Sequence, residues 1–104
     1  RDSIFLYAER RLQRFRFSDI CYLEAYGAYT KIYTTQGVVT IRDVLSNIQN
    51  ELPAHQFSRI HKSFVINVDK LTALEYKQVW LDDTKLPIGN QYREQLRQVI
   101  HAYS

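Results

Sequence analysis

The sequence predicts a mostly β domain carrying two short helices. Three observations lead there. Eight Tyr and five Phe stand against three Gly and no Met, and aromatic side chains favour pleated, half-buried surfaces. Short apolar or alternating runs recur between turn-forming residues along most of the chain. Helical spacing appears only near residues 43–51 and beyond Asn90. At 104 residues the chain is one domain with a single modest core. No alternation of parallel strands with long helices argues for a nucleotide-binding α/β fold.

Taken in order, Ser3-Ile4-Phe5-Leu6-Tyr7 reads as a buried strand, and Leu12 to Phe17 alternates as a half-exposed strand should. Glu9-Arg10-Arg11 between them is a turn or bulge. Ser18-Asp19 punctuates, and Ile20 to Ala25 is a further buried strand. Tyr26-Gly27-Ala28 is a turn in which Gly27 is free to adopt positive φ. Residues 29–41 form a hairpin with Gly37 in its loop. Val44, Leu45, Ile48 and Leu52 then fall at helical spacing behind Asp43, and Pro53 closes that helix. Residues 54–63 show no clean period. Strand character returns at Phe64-Val65-Ile66, continues within Lys70 to Trp80 and is strongest at Val79-Trp80-Leu81. Asp82-Asp83-Thr84 turns the chain into Lys85-Leu86-Pro87-Ile88, a short strand whose proline suits a sheet edge. Asn90 is a good N-cap for a last helix that presents Tyr92, Leu96, Val99 and Ile100 on one face.

Fourteen Lys plus Arg against eleven Asp plus Glu leave a net charge of +3. The cations are clustered, at Arg10 to Arg16, at Arg59 and Lys62, and at Arg93 and Arg97. Segregation of this kind points to a basic face. Cys21 is the single cysteine, so no internal disulfide forms and a reducing compartment is expected. No apolar stretch approaches the ~20 residues that span a bilayer. The three histidines, His55, His61 and His101, are far apart and none has a metal-ligand neighbour two to four positions after it, and nothing local activates the Cys21 thiol. Neither an enzyme nor a cofactor is therefore expected.

The densest chemistry lies in Phe57-Ser58-Arg59-Ile60-His61-Lys62-Ser63-Phe64-Val65-Ile66-Asn67. Arg, Lys, Ser and Asn are the side chains that bond phosphate oxygens, and Lys or Asn also reaches base edges in a groove. The run has no paired carboxylates, cysteine cluster or glycine-rich cradle. It suits a polyanion, and DNA before others. Two further turns would have to converge with it. One is Tyr26 to Lys31. The other is Gly89-Asn90-Gln91-Tyr92-Arg93. Two other functions fit the same composition: a β-rich module adding a partner strand at the Lys85–Ile88 edge, and RNA binding through exposed Tyr stacking.

These residues carry a resemblance. The Phe57–Asn67 run, the later Leu86-Pro87-Ile88-Gly89-Asn90-Gln91-Tyr92-Arg93 and the earlier Ile20 to Ile32 together resemble the LytTR family of bacterial DNA-binding domains. The likeness covers about residues 3–100, and three motifs in order are specific where one would be weak. It implies an elongated antiparallel β-sheet domain over residues 1–104, the C-terminal fragment of a longer two-component response regulator in the cytoplasm. It implies sequence-specific binding of double-stranded promoter DNA, at paired direct repeats, behind an upstream receiver domain and with a dimer on DNA. By that resemblance Thr30, Lys62 and Gln91 contact bases, with Tyr29 and Asn90 as their one-residue neighbours. Lys31, Arg59, His61, Ser63 and Arg93 match positions suited to phosphate contact. The chain departs from the family pattern at Gly89, commonly Ser, and at Asn90, commonly Arg, so one expected cation is missing.

Overall fold

A computed structural model describes residues 1–103 of the chain. Its centre is a five-stranded antiparallel sheet in the order β5-β4-β3-β7-β6. These strands are β3 (Ile20–Tyr26), β4 (Tyr29–Thr34), β5 (Gly37–Ile41), β6 (Phe57–His61) and β7 (Phe64–Asn67). One face is covered by the ribbon of β1 (Ser3–Ala8) and β2 (Arg11–Arg16), together with helix α1 (Leu45–Gln49). The other is covered by the small sheet β10-β9-β8 and by helix α2 (Arg93–Tyr103). In that sheet β8 is Ala73–Leu74, β9 is Gln78–Leu81 and β10 is Thr84–Pro87. The molecule measures 40 × 28 × 25 Å, elongated as expected.

A sheet covered on both faces divides the core in two. Leu23, Ile32 and Val65 face the ribbon and α1, with Ile4, Phe15 and Ile48 packed against them. Ile60 and Ile66 face the opposite way, onto Val79, Leu86 and Leu96. The expected single core is therefore two clusters back to back, because alternate residues of each central strand serve different layers. Asn67 joins the layers to the chain entering β3. Fully buried, its Nδ2 donates to the carbonyls of Phe17 (3.0 Å) and Ile20 (2.7 Å), and its Oδ1 accepts from Asp69 N–H.

Most expected elements are present, with four differences. The Ser3–Tyr7 strand is buried on one face only, leaving Phe5 49% and Tyr7 65% exposed, because a two-stranded ribbon covers the sheet with one side. The aperiodic stretch before Phe64 contains a regular strand, β6. A bulge between Arg59 and His61 breaks its alternation, and Arg59 lies inward only because its charge is bonded. The helix behind Asp43 is only Leu45–Gln49 long. Asn90 does not cap the last helix: it opens a single 3-10 turn leading into α2, and its side-chain oxygen accepts from Arg93 instead.

Candidate nucleic-acid interface

Sheet pairing brings the three sequence-predicted turns to one end of the molecule. The β3–β4 hairpin closes through Gly27 and Ala28 with Tyr26 opposite Tyr29. Gly27 has φ +61°, a left-handed backbone that glycine adopts without strain. Because β3 also pairs β7, with Glu24 opposite Phe64, the Lys62–Ser63 turn lies beside that hairpin. Ala25 N–H donates to the Ser63 carbonyl at 2.9 Å and ties the two together. The third loop is fastened next to them by Gly89 N–H, which donates to the Ile60 carbonyl at 2.8 Å. A Cβ on Gly89 would stand 3.0 Å from the Tyr92 ring and 3.7 Å from His61 Cα. A residue without a side chain lets this loop close onto β6.

At the tips, Lys62 and Gln91 are exposed, and their side chains bond no neighbour among the described residues. Tyr29 is 40% exposed. Lys31 holds its ammonium 3.9 Å over the Tyr26 ring, a cation–π contact that keeps the charge near the hairpin. Thr30 is corrected by its surroundings. It is completely buried, and its hydroxyl donates to the Asp43 carbonyl at 2.8 Å. The pleat that turns Tyr29 and Lys31 to one face turns Thr30 to the other, where it anchors the chain entering α1.

The two arginines are already engaged. Arg59 donates Nε–H to the His61 carbonyl (2.8 Å), Nη1–H to Gln49 Oε1 (2.9 Å) and Nη2–H to the Lys62 carbonyl (2.5 Å). Its guanidinium thereby clamps the turn that carries Lys62. Arg93 donates Nε–H to the Tyr76 carbonyl (2.7 Å) and Nη2–H to Asn90 Oδ1 (3.0 Å), and lies 3.9 Å over the Tyr76 ring. His61 Nδ1 accepts the Ser63 N–H at 3.0 Å. Ser63 is half-buried beside it. The strut at Gln49 and the loop at Tyr76 escaped sequence reasoning. Gln49 lies ten positions from Arg59, and no local pattern couples them.

The hairpin also holds an acidic counterweight. Glu24 stands opposite Lys31 and accepts the Tyr33 hydroxyl at 2.7 Å. That bond, with burial and the carboxylate's charge, holds the Tyr33 phenol well above its ordinary value. Tyr22 stacks on Tyr33 with centroids 4.1 Å apart, and burial raises its phenol as well. The Arg10–Arg16 cations lie elsewhere, on the β1–β2 ribbon. Among the described residues no three His, Cys, Asp or Glu side chains are grouped to hold a metal ion. No helix among them is long and apolar enough to cross a membrane.

The antiparallel layers thus carry three polar turns at one end of the molecule. The family model described as the LytTr DNA-binding domain matches residues 10–101, and the chain belongs to this family. It is a DNA-binding domain of the kind used in transcription regulation. The chain is 27% identical over 89 residues to the sensory transduction protein LytT of Bacillus subtilis, covering 80% of this chain and 37% of that protein. It is 26% identical over 110 residues to the transcriptional regulatory protein YpdB of Escherichia coli, covering 96% and 44% respectively. The chain thus spans less than half the length of these relatives. A solved Bacillus cereus structure described as a LytTr DNA-binding domain superposes with a TM-score of 0.79 at 23% identity, covering 96% of this chain and 97% of that one.

Proposed function

We propose that this domain binds double-stranded promoter DNA sequence-specifically, as the output module of a two-component response regulator acting in the cytoplasm. An upstream receiver domain would control it, and two copies would occupy paired direct repeats. The observation that carries the reading is the meeting of three turns at one end, with Lys62 and Gln91 unengaged at their tips. Lys62 reads guanine O6/N7 and Gln91 reads adenine N6/N7, each good contact contributing ~1–3 kcal/mol of discrimination. Tyr29 and Asn90 flank them. Lys31, His61 and Ser63 neutralise or bond phosphates, while Arg59 and Arg93 add the guanidinium hydrogens left over from holding their loops. Thr30 shapes the hairpin from within.

Selection of bound duplexes from a random pool, followed by salt titration on the winner, tests this reading. Engagement of ~4–6 phosphates gives a slope of log affinity against log salt near −4 to −5. Lys62→Ala weakens the selected duplex more than random DNA. A flat salt dependence, or equal losses on both duplexes, would overturn the reading.

A further inference from the structure

A fourth loop shares the end at which the three turns meet. It joins β8 to β9 through Glu75, Tyr76 and Lys77. The Lys77 carbonyl accepts Ile88 N–H at 2.9 Å, immediately before Gly89, so this loop and the Gly89–Tyr92 loop are laced together. Arg93 completes the connection, donating to the Tyr76 carbonyl at 2.7 Å and lying 3.9 Å over its ring. Tyr76, at 68% exposed, is thus a platform for Arg93 at the surface.

The charges of the loop are sorted. Glu75 accepts hydrogen bonds from the Gln78 amide and, at 3.0 Å, from the Trp80 indole. Both donors hold its carboxyl below the usual carboxylate range and turn it back along β9. Lys77 is exposed, and among the described residues its ammonium has no partner. One free cation therefore stands beside the loop bearing Gln91, with the neighbouring acid already occupied.

We propose that the Glu75–Lys77 loop is a fourth DNA-contacting element, in which Lys77 binds a backbone phosphate flanking the base pair met by Gln91 and Tyr76 fixes Arg93 alongside. The inference rests on the proposed duplex binding and widens its footprint. A lysine serves here as a mobile point charge, which suits a phosphate better than the bidentate reading of a base.

The test uses the full chain with the duplex it selects and with a random duplex. Lys77→Ala removes the charge and keeps the backbone carbonyl that bonds Ile88. It should flatten the salt slope by ~0.9 and weaken binding about fourfold at ~0.2 M salt, equally on both duplexes. Lys77→Arg should restore slope and affinity. Native slope and affinity in Lys77→Ala, with Lys62→Ala still losing its preference, would overturn the fourth contact and leave the proposed function standing. A native chain that binds no duplex would overturn both.

Discussion

The Arg59 guanidinium donates to the Lys62 carbonyl at 2.5 Å, so the residue expected to meet phosphate holds in place the residue expected to meet a base. Its other two nitrogens bond the His61 carbonyl and Gln49 Oε1, fixing the turn to both its own strand and α1. A lysine keeps the charge but cannot make this three-pronged contact. Arg59→Lys should therefore reduce the preference for the selected duplex about fivefold, ~1 kcal/mol of coupling, while leaving the salt slope near native. In Lys62→Ala the same change should cost little more, because its effect passes through Lys62. Duplex affinities of both single variants and the double variant check this. Strictly additive losses would show that Arg59 acts on DNA independently.

Asn67 gives a stability prediction of a different kind. Its amide is the common partner of three backbone groups, the Phe17 and Ile20 carbonyls and Asp69 N–H. Asn67→Ala takes a donor from both carbonyls, leaves Phe17 only the Ile20 N–H, strands Asp69 N–H, and should destabilise the fold by about 2–3 kcal/mol. Asn67→Asp keeps the bond to Asp69 N–H but faces the two carbonyls with negative charge, and should destabilise further at neutral pH. Denaturant unfolding of both variants measures the difference. A loss under ~0.5 kcal/mol in Asn67→Ala would mean those carbonyls find other partners.

Local signals made part of this architecture legible. The hairpin over residues 29–41 follows from β-formers on both sides of Gly37, and its pairing has Thr34 opposite Gly37. The last helix, α2, follows from the spacing of Tyr92, Leu96, Val99 and Ile100, with Leu96 fully buried. The regulator family was legible because three separated motifs kept their order, and family membership bears that out. What escaped depends on partners remote in sequence. Thr30 resembles an exposed polar residue until the Asp43 carbonyl, thirteen positions on, takes its hydroxyl. Strand β6 is hidden because Arg59 lies where alternation asks for an apolar residue, its charge satisfied by Gln49 on another element. The turn at Glu9-Arg10-Arg11 is legible but its type is not, because Glu9 and Arg10 take positive φ (54° and 67°) without a glycine to announce it. The site residues themselves remain a proposal whose geometry is favourable at Lys62 and Gln91 and unfavourable at Thr30.

Tyr33 makes the hairpin sensitive to alkali. Its hydroxyl donates to Glu24 Oε1 at 2.7 Å, and losing that proton would set a phenolate against a carboxylate. The hydrogen bond first, then burial and the charge of Glu24, raise the phenol above its ordinary value of 10.0. A group whose folded-state value is raised binds its proton more tightly in the native protein than in the unfolded chain. Its stabilising contribution is complete below the unfolded value and declines as pH climbs from about 10 through the folded value. Unfolding free energy, measured in denaturant from about pH 8 to about pH 11, should be flat at first and then fall. Tyr33→Phe should be less stable at neutral pH, having lost the bond, and should fall less steeply in alkali. Some decline should persist, because burial also raises Tyr22, stacked 4.1 Å away. An alkaline slope in Tyr33→Phe identical to the native one would show that this hydroxyl is not the group that titrates.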